Sequence, residues 1–296
     1  MNTRKRHVIK MAHQLFVDKG FQATSIQDIL EYSGISKGTF YNYFSSKNEL
    51  LIAIFKTIYI KLEQDRNELL IGQDPSNIEI FIQQIELHMQ TNRTNKLISL
   101  FEEVIYSNDD DLKQFMKQGH LKNLRWLFYR FIDIFGESKK PYLLDCSIMF
   151  MGILQHNIKY NKLAHPTNTS LHKVVRYSVE RVVRIVNEVA ESGEQLIHHE
   201  LIDSWIPVCT RLDQSFHQKL HHTVLTLKKN LNQNEGHSQY IELLDFIQEE
   251  FLSSKYPRKF LIDSALLSLA NQAFIDKKER QKLEQLVSDF FMQIKE

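Results

Sequence analysis

Glycine and proline are scarce in this sequence, nine and five in 296 residues. So little turn chemistry disfavours a many-stranded sheet and favours long helices. Cysteine is nearly absent. The two present, Cys146 and Cys209, lie in helix-like segments and read as buried free thiols in a reducing cytoplasm, which excludes a disulfide-stapled framework. Long apolar runs are also missing. The longest, CSIMFMGIL, is too short to span a bilayer, and the charged start MNTRKRH is not followed by an apolar signal core. A cytoplasmic chain with no membrane partner is expected. A large charge excess is lacking too: the formal net charge of +1 rules out a grossly basic nucleic-acid coat protein. No glycine-rich phosphate loop, G-x-S-x-G elbow or nucleophile–base pair occurs, so neither an enzyme nor a cofactor is expected.

What the chain does have is helical periodicity from end to end. Val8, Ile9, Ala12, Leu15 and Phe16 repeat at three- and four-residue spacing over a helix from about Thr3 to Lys19, which Gly20 stops. Ser25 with Asp28, and Ser46 with Glu49, form capping-box pairs that open later helices. Beyond GQDPSN (72–77) the pattern predicts helices near 77–92, 95–107, 109–135, 141–162 and 170–191, and five more after Gly193. The run Asp109-Asp110-Asp111 reads as the negative first turn of a helix capped by Ser107 or Asn108 rather than as a metal site. The expected fold is all-α. An N-terminal three-helix domain (1–50) precedes a larger helical effector-binding and dimerisation domain (51–192) and additional C-terminal helices (193–296).

Charge is local where the total is not. Residues 1–50 carry seven Lys/Arg against four Asp/Glu, with Arg4, Lys5 and Arg6 at the start. In the same segment, GISKGTFYNYF makes a poor helix for its own sake, since Gly38, Thr39 and Asn42 are weak helix formers. Three short helices with a glycine turn at Ser33-Gly34 give helix-turn-helix geometry, whose second helix enters the major groove. That role explains the composition. Gly38 lets backbone approach DNA, and Thr39 offers a hydroxyl and a methyl. Asn42 reads an adenine edge, and Lys37 reads a guanine or a phosphate. Tyr41 and Tyr43 pack on sugars and donate to phosphate oxygens, while Phe40 and Phe44 point inward.

These residues resemble the TetR-type bacterial transcriptional regulators. The matching positions are Ala12, Phe16, Gly20-Phe21, Thr24-Ser25, Ile29, Gly34-Ile35-Ser36, Lys37-Gly38-Thr39, Tyr41, Tyr43-Phe44 and Ser46-Lys47-Asn48-Glu49-Leu50. The likeness covers about residues 5–55 without gaps; Ser33 departs from the usual alanine. By this resemblance Thr24 and Ser25 would meet phosphate at the start of the second helix. Ser36, Lys37, Gly38, Thr39, Tyr41, Asn42 and Tyr43 would belong to the DNA-binding surface, and Lys47 would grip the backbone. It also implies a homodimer on double-stranded DNA at a palindromic operator, most simply a repressor, released by a small lipophilic effector. Residues 193–296 have no counterpart in the resemblance.

The effector pocket is expected among the aromatic and methionine residues of 115–160, with Trp126, Tyr129, Phe150, Met151 and His156 as candidates; packed core is the competing reading. Val175, Val179, Val182 and Val186 step by 4, 3 and 4 and suit a helix–helix interface between subunits, or equally an intrachain core. His217, His221 and His222, and the fragment His198-His199-Glu200, lack a complete ligand set, so no metal is expected. A rival reading keeps the DNA-binding fold but places control in a protein partner docking on 193–296.

Overall fold

The computed structural model describes residues 3–105, 109–166, 170–205, 216, 219–220, 223–228, 231, 238–253, 257–270, 272 and 274–293. Most of the described residues are helical, and none of them lies in a strand. The first compact unit holds α1 (Thr3–Lys19), α2 (Ile26–Ser33), α3 (Lys37–Tyr43), α4 (Lys47–Glu68), α5 (Ile78–Thr94), α6 (Leu97–Ile105) and α7 (Asp110–Phe135). A 3-10 turn at Glu137–Lys139 leads into α8 (Lys140–Ala164), followed by α9 (Leu171–Ser192) and α10 (Leu201–Trp205). Residues 208–296 form a second compact unit, with α11 (Ser238–Ser253), α12 (Lys259–Ala270) and α13 (Lys277–Gln293).

Local chemistry sets the helix limits. Asp109 itself caps α7, its carboxylate accepting the Leu112 amide at 2.8 Å; Ser107 and Asn108, the caps expected from sequence, lie outside the described residues. Pro141 sits in the first turn of α8, where a missing N–H costs nothing. Gly193 ends α9 in the left-handed region at φ 70°, a conformation that glycine adopts without strain.

Two cores build the first unit. One gathers Val8, Ile9, Ala12 and Phe16 of α1 with Phe21, Ile29, Phe40 and Phe44, and with Leu50, Leu51, Ile54 and Phe55 of α4. Leu97, Leu100 and Val104 of α6 complete it, so the N-terminal helices are closed from behind by residues far along the chain. The other core joins α5, α7, α8 and α9 through Phe81, Ile85, Phe128, Phe131, Leu143, Phe150 and the α9 valines.

Of the two readings open for the valine stripe, the structure takes the intrachain core and not the subunit interface. Val175, Val179, Val182 and Val186 are all between 0% and 1% exposed within the single chain. They pack into the core shared with α8 and α5, so no partner subunit can reach them. The heptad-like step arises because α9 lies along α8, a helix of its own chain.

The first unit continues past the expected limit at residue 192. Asp145 is buried on α8 and accepts the Leu196 amide at 2.8 Å and the Ile197 amide at 3.2 Å. Gln195 donates to the Pro141 carbonyl, and Ile202 is buried in the central core. Cys146 is a buried free thiol; Cys209 lies outside the described residues. In the second unit Phe216, Leu220, Val224, Leu227 and Leu231 repeat at helical spacing and pack with Leu244, Ile247 and Phe251 of α11, Ile262 and Leu269 of α12, and Leu283 and Val287 of α13.

Candidate nucleic-acid interface

The turn between α2 and α3 is built from its caps inward. Ser25 and Asp28 close a reciprocal capping box: the Asp28 amide donates to Ser25 Oγ, and the Ser25 amide donates to the Asp28 carboxylate at 2.7 Å. Lys19 and the Ser25 bonds hold the Asp28 carboxyl well below its usual value. Gly34 then turns the chain at φ 66°, its amide returning to the Leu30 carbonyl. Ser33 is buried and donates its hydroxyl to the Ile29 carbonyl, so a serine fits where an alanine is usual in the resemblance. Ser36 caps α3 by accepting the Thr39 amide at 3.1 Å, and its hydroxyl also meets that of Thr39.

On α3 the inward and outward faces separate cleanly. Phe40 is fully buried, and Phe44 just beyond the helix lies 5.8 Å from it, ring to ring. Tyr41 stands on the other side, 47% exposed, with its ring edge-on to Phe40. Lys37, Gly38 and Asn42 are exposed, and Thr39 and Tyr43 are half-buried. A Cβ built on Gly38 would meet only Ser36 Oγ, at 3.9 Å. Among the described residues nothing therefore requires glycine there.

Two of the expected contacts are occupied internally. Thr24 is 1% exposed, and its hydroxyl donates to the Gly20 carbonyl at 2.7 Å. It shapes the α1–α2 turn and presents no hydroxyl to solvent. Lys47 donates to the carbonyls of Phe21 and Thr24, both at 2.8 Å, with its ammonium 4.4 Å from the Phe21 ring centroid. Partial burial lowers its pKa, and the Glu103 and Asp28 charges oppose that shift. In this form it braces the turn rather than reaching outward. Ser25 remains exposed at the start of α2. Sequence reasoning missed Glu103 of α6, whose carboxylate accepts the Gln22 amide at 2.8 Å and fixes the same turn from behind. No local signal marks a residue eighty-one positions away.

A family model described as bacterial regulatory proteins, tetR family, matches residues 8–54. The N-terminal domain is a TetR-type helix-turn-helix. The whole chain is similar to the uncharacterized HTH-type transcriptional regulator YerO of Bacillus subtilis, 28% identical over 97% of this chain and 96% of that protein. It is similar over comparable lengths to YuxN of the same organism, at 24% identity over 95% of this chain and 97% of that protein. The transcriptional repressor KstR2 of Mycobacterium tuberculosis is 33% identical over 17% of this chain and 26% of its own length. No solved structure matches. The two long alignments run through the residues behind the TetR-type domain, so the C-terminal unit is part of what YerO and YuxN share with this chain.

The five effector candidates sit in different surroundings. Phe150 is buried in the central core, and Met151 packs against it. Tyr129 is buried, its hydroxyl 3.2 Å from the Asp203 carboxylate, and Trp126 lies under the guanidinium of Arg66. His156 is exposed on α8, its Nδ1 2.9 Å from the Gly152 carbonyl. An open groove of about 790 Å³ lies elsewhere, between α4, α5 and the start of α9, with Leu69, Leu87 and Leu171 as its apolar wall. None of the five lines it. Among the described residues no group of three or more His, Cys, Asp or Glu is placed to hold a metal ion; His217, His221 and His222 lie outside them. No described helix is long and apolar enough to cross a membrane.

Proposed function

We propose that this protein is a sequence-specific DNA-binding transcriptional regulator, a repressor that acts as a homodimer on a palindromic operator and is released by a small apolar effector. The observation that carries the reading is α3 itself. Phe40 and, just past its end, Phe44 anchor it inward, and Lys37, Gly38, Tyr41 and Asn42 are left outward on a helix short enough to enter a groove. Lys37 and Tyr41 serve phosphates, and Asn42 faces base edges. Ser25 and Ser36 supply hydroxyls at the rim. The names of the relatives support the regulatory role.

With the valine stripe buried, the dimer falls to the exposed side of α8 and α9. Met149, Gly152, His156, Tyr160 and Leu163 recur every three or four residues on α8, with Tyr177 and Arg184 outward on α9. Gly152 has no atom within 4 Å of a built Cβ, which leaves room for a close crossing. A selection of bound duplexes from a random library tests the whole reading. Two inverted half-sites about one helical turn apart, or a multiple of it, are expected; an unrelated, sequence-indifferent pool would refute it.

Partner control through the C-terminal unit is a second reading. It draws on Phe260 and Leu267, which stand exposed on α12 with 80% and 64% of their surfaces open. Capture of one protein by the wild type, lost on Leu267→Glu with DNA binding intact, would favour it.

A further inference from the structure

The inner face of α4 reads Leu50, Ile54, Ile58, Leu62 and then Arg66, each four residues from the last. A charge thus occupies a position that the stripe reserves for apolar side chains. Arg66 is buried, with 8% of its surface exposed. Its guanidinium carbon lies 4.0 Å from the ring centroid of Trp126 on α7. Its Nε and Nη1 are shut off from solvent and have no hydrogen-bond partner among the described residues.

No carboxylate among the described residues forms a direct ion pair with Arg66. Glu63, on the same helix, acts on Arg66 only through space. His88 is buried nearby, and burial together with the Arg66 charge pushes its pKa down to about 3, so the ring is neutral and contributes no negative charge. Buried Gln84 donates to the Arg66 backbone carbonyl, but its own oxygen accepts Arg130 Nε at 2.9 Å. Arg130 has in addition the Pro75 carbonyl and Asp133, both at 2.9 Å. The acceptors of this region serve Arg130. Beyond the face of Trp126 and the distant charge of Glu63, Arg66 gains only the weak attraction of the α4 C-terminus, whose last turn it occupies. An unpaired buried charge is strongly unfavourable, and a buried unsatisfied donor calls for a missing partner.

We infer that Arg66 is the seat of an apolar monoanion, an aliphatic carboxylate, and that this is the effector class of the regulator proposed above, on which reading the inference rests. One guanidinium calls for one negative charge; a phosphate dianion would leave a second charge buried and unpaired. The carboxylate accepts from the idle guanidinium donors, which suit planar oxyanions. The aliphatic body lies along Trp126, which stacks on Phe81 of the central core. Because the donors are covered in this form, the ligand enters by parting Arg66 from Trp126. α4 is one unbroken helix, and its other end supplies Leu50, Leu51 and Ile54 to the core beneath the TetR-type domain, so a displacement at Arg66 is felt there.

The test uses the full chain carrying Trp205→Phe, which leaves Trp126 as the only tryptophan. It is titrated without DNA with sodium dodecanoate, dodecan-1-ol and dodecyltrimethylammonium bromide, each below its micelle concentration, while tryptophan emission is followed. Saturable binding of dodecanoate with a shift of Trp126 emission is expected, roughly tenfold or more tighter than the alcohol, with the cation weakest. In Arg66→Met and in Arg66→Gln, each checked for native circular dichroism, dodecanoate and dodecanol should bind alike; the two variants guard against one failing to fold. Absence of a dodecanoate response in the wild type, equal binding of all three probes, or a carboxylate preference that survives both substitutions would overturn the inference and leave Arg66 a helix-terminal cation. Failure of the protein to bind any DNA would strike the regulator reading alone, since these titrations contain none.

Discussion

Gly38 separates the requirements of the fold from those of the groove. A methyl group added there meets only Ser36 Oγ, at 3.9 Å, an ordinary contact distance, and Gly38 lies in an α-helix rather than in a left-handed turn. Gly38→Ala therefore carries no steric penalty inside the protein. It removes the entropic cost of glycine in a helix, which reaches about 1 kcal/mol at interior positions and is smaller in the first turn, where Gly38 sits. For a unit of this size, a gain of that order raises the thermal midpoint by at most about 2–4 °C. DNA affinity should move the other way, because the methyl stands between the helix backbone and the groove floor. The assay pairs a thermal melt by circular dichroism with duplex titration on one protein preparation. A midpoint that is unchanged or higher, with affinity at least roughly tenfold weaker, about 1.4 kcal/mol, is expected. A stabilised variant with undiminished affinity would refute close backbone approach at α3, and a destabilised one would refute the local packing described for Gly38.

Other perturbations probe other parts of the structure. Lys37→Ala should weaken binding to all duplexes and reduce the slope of log affinity against log salt by about 0.9 in a titration series, with helicity unchanged. Val182→Ala should cost about 2 kcal/mol in denaturant unfolding without altering the sedimentation mass, because Val182 is buried in its own chain. Leu163→Glu, at a side chain 74% exposed, should keep the helical circular-dichroism signal and lower the mass to that of a monomer. Asp28 has a pKa lowered by Lys19 and Ser25, so its contribution is present above its unfolded value of 3.8 and is lost as the pH falls below it. Asp28→Asn should flatten that acid limb of the stability profile.

Much of the fold was legible because caps write helix limits locally. Ser25, Ser36 and Ser46 each accept the amide three residues on, and the helices begin beside them. The aromatic crowding of α3 was legible for the same reason: Phe40 and Phe44 are four apart, so one face had to be inward. Direction was not legible where a side chain has two plausible partners. The Thr24 hydroxyl and the Lys47 ammonium suit phosphate oxygens, and they suit the carbonyls of Gly20, Phe21 and Thr24 equally well. The α9 valines show the limit of periodicity. A 4-3-4 step specifies that a helix lies alongside and leaves open whose helix it is. Tyr129 is an example at longer range, since its hydroxyl partner Asp203 lies seventy-four residues away. Arg66 does leave a trace in the sequence, a charge at the fifth position of an otherwise apolar four-residue stripe. Its lack of a partner is not local information, because it depends on Gln84 and Arg130 of other helices.

The most direct test of α3 as the DNA-reading helix is fluorescence anisotropy with duplexes tiled across the DNA upstream of the protein's own gene. Wild type and Tyr41→Ala are titrated at two salt concentrations. Saturable, salt-sensitive binding of the wild type to one pseudo-palindromic duplex, lost in a variant with native circular dichroism, is the expected result. Equal affinity of wild type and Tyr41→Ala for that duplex would contradict it.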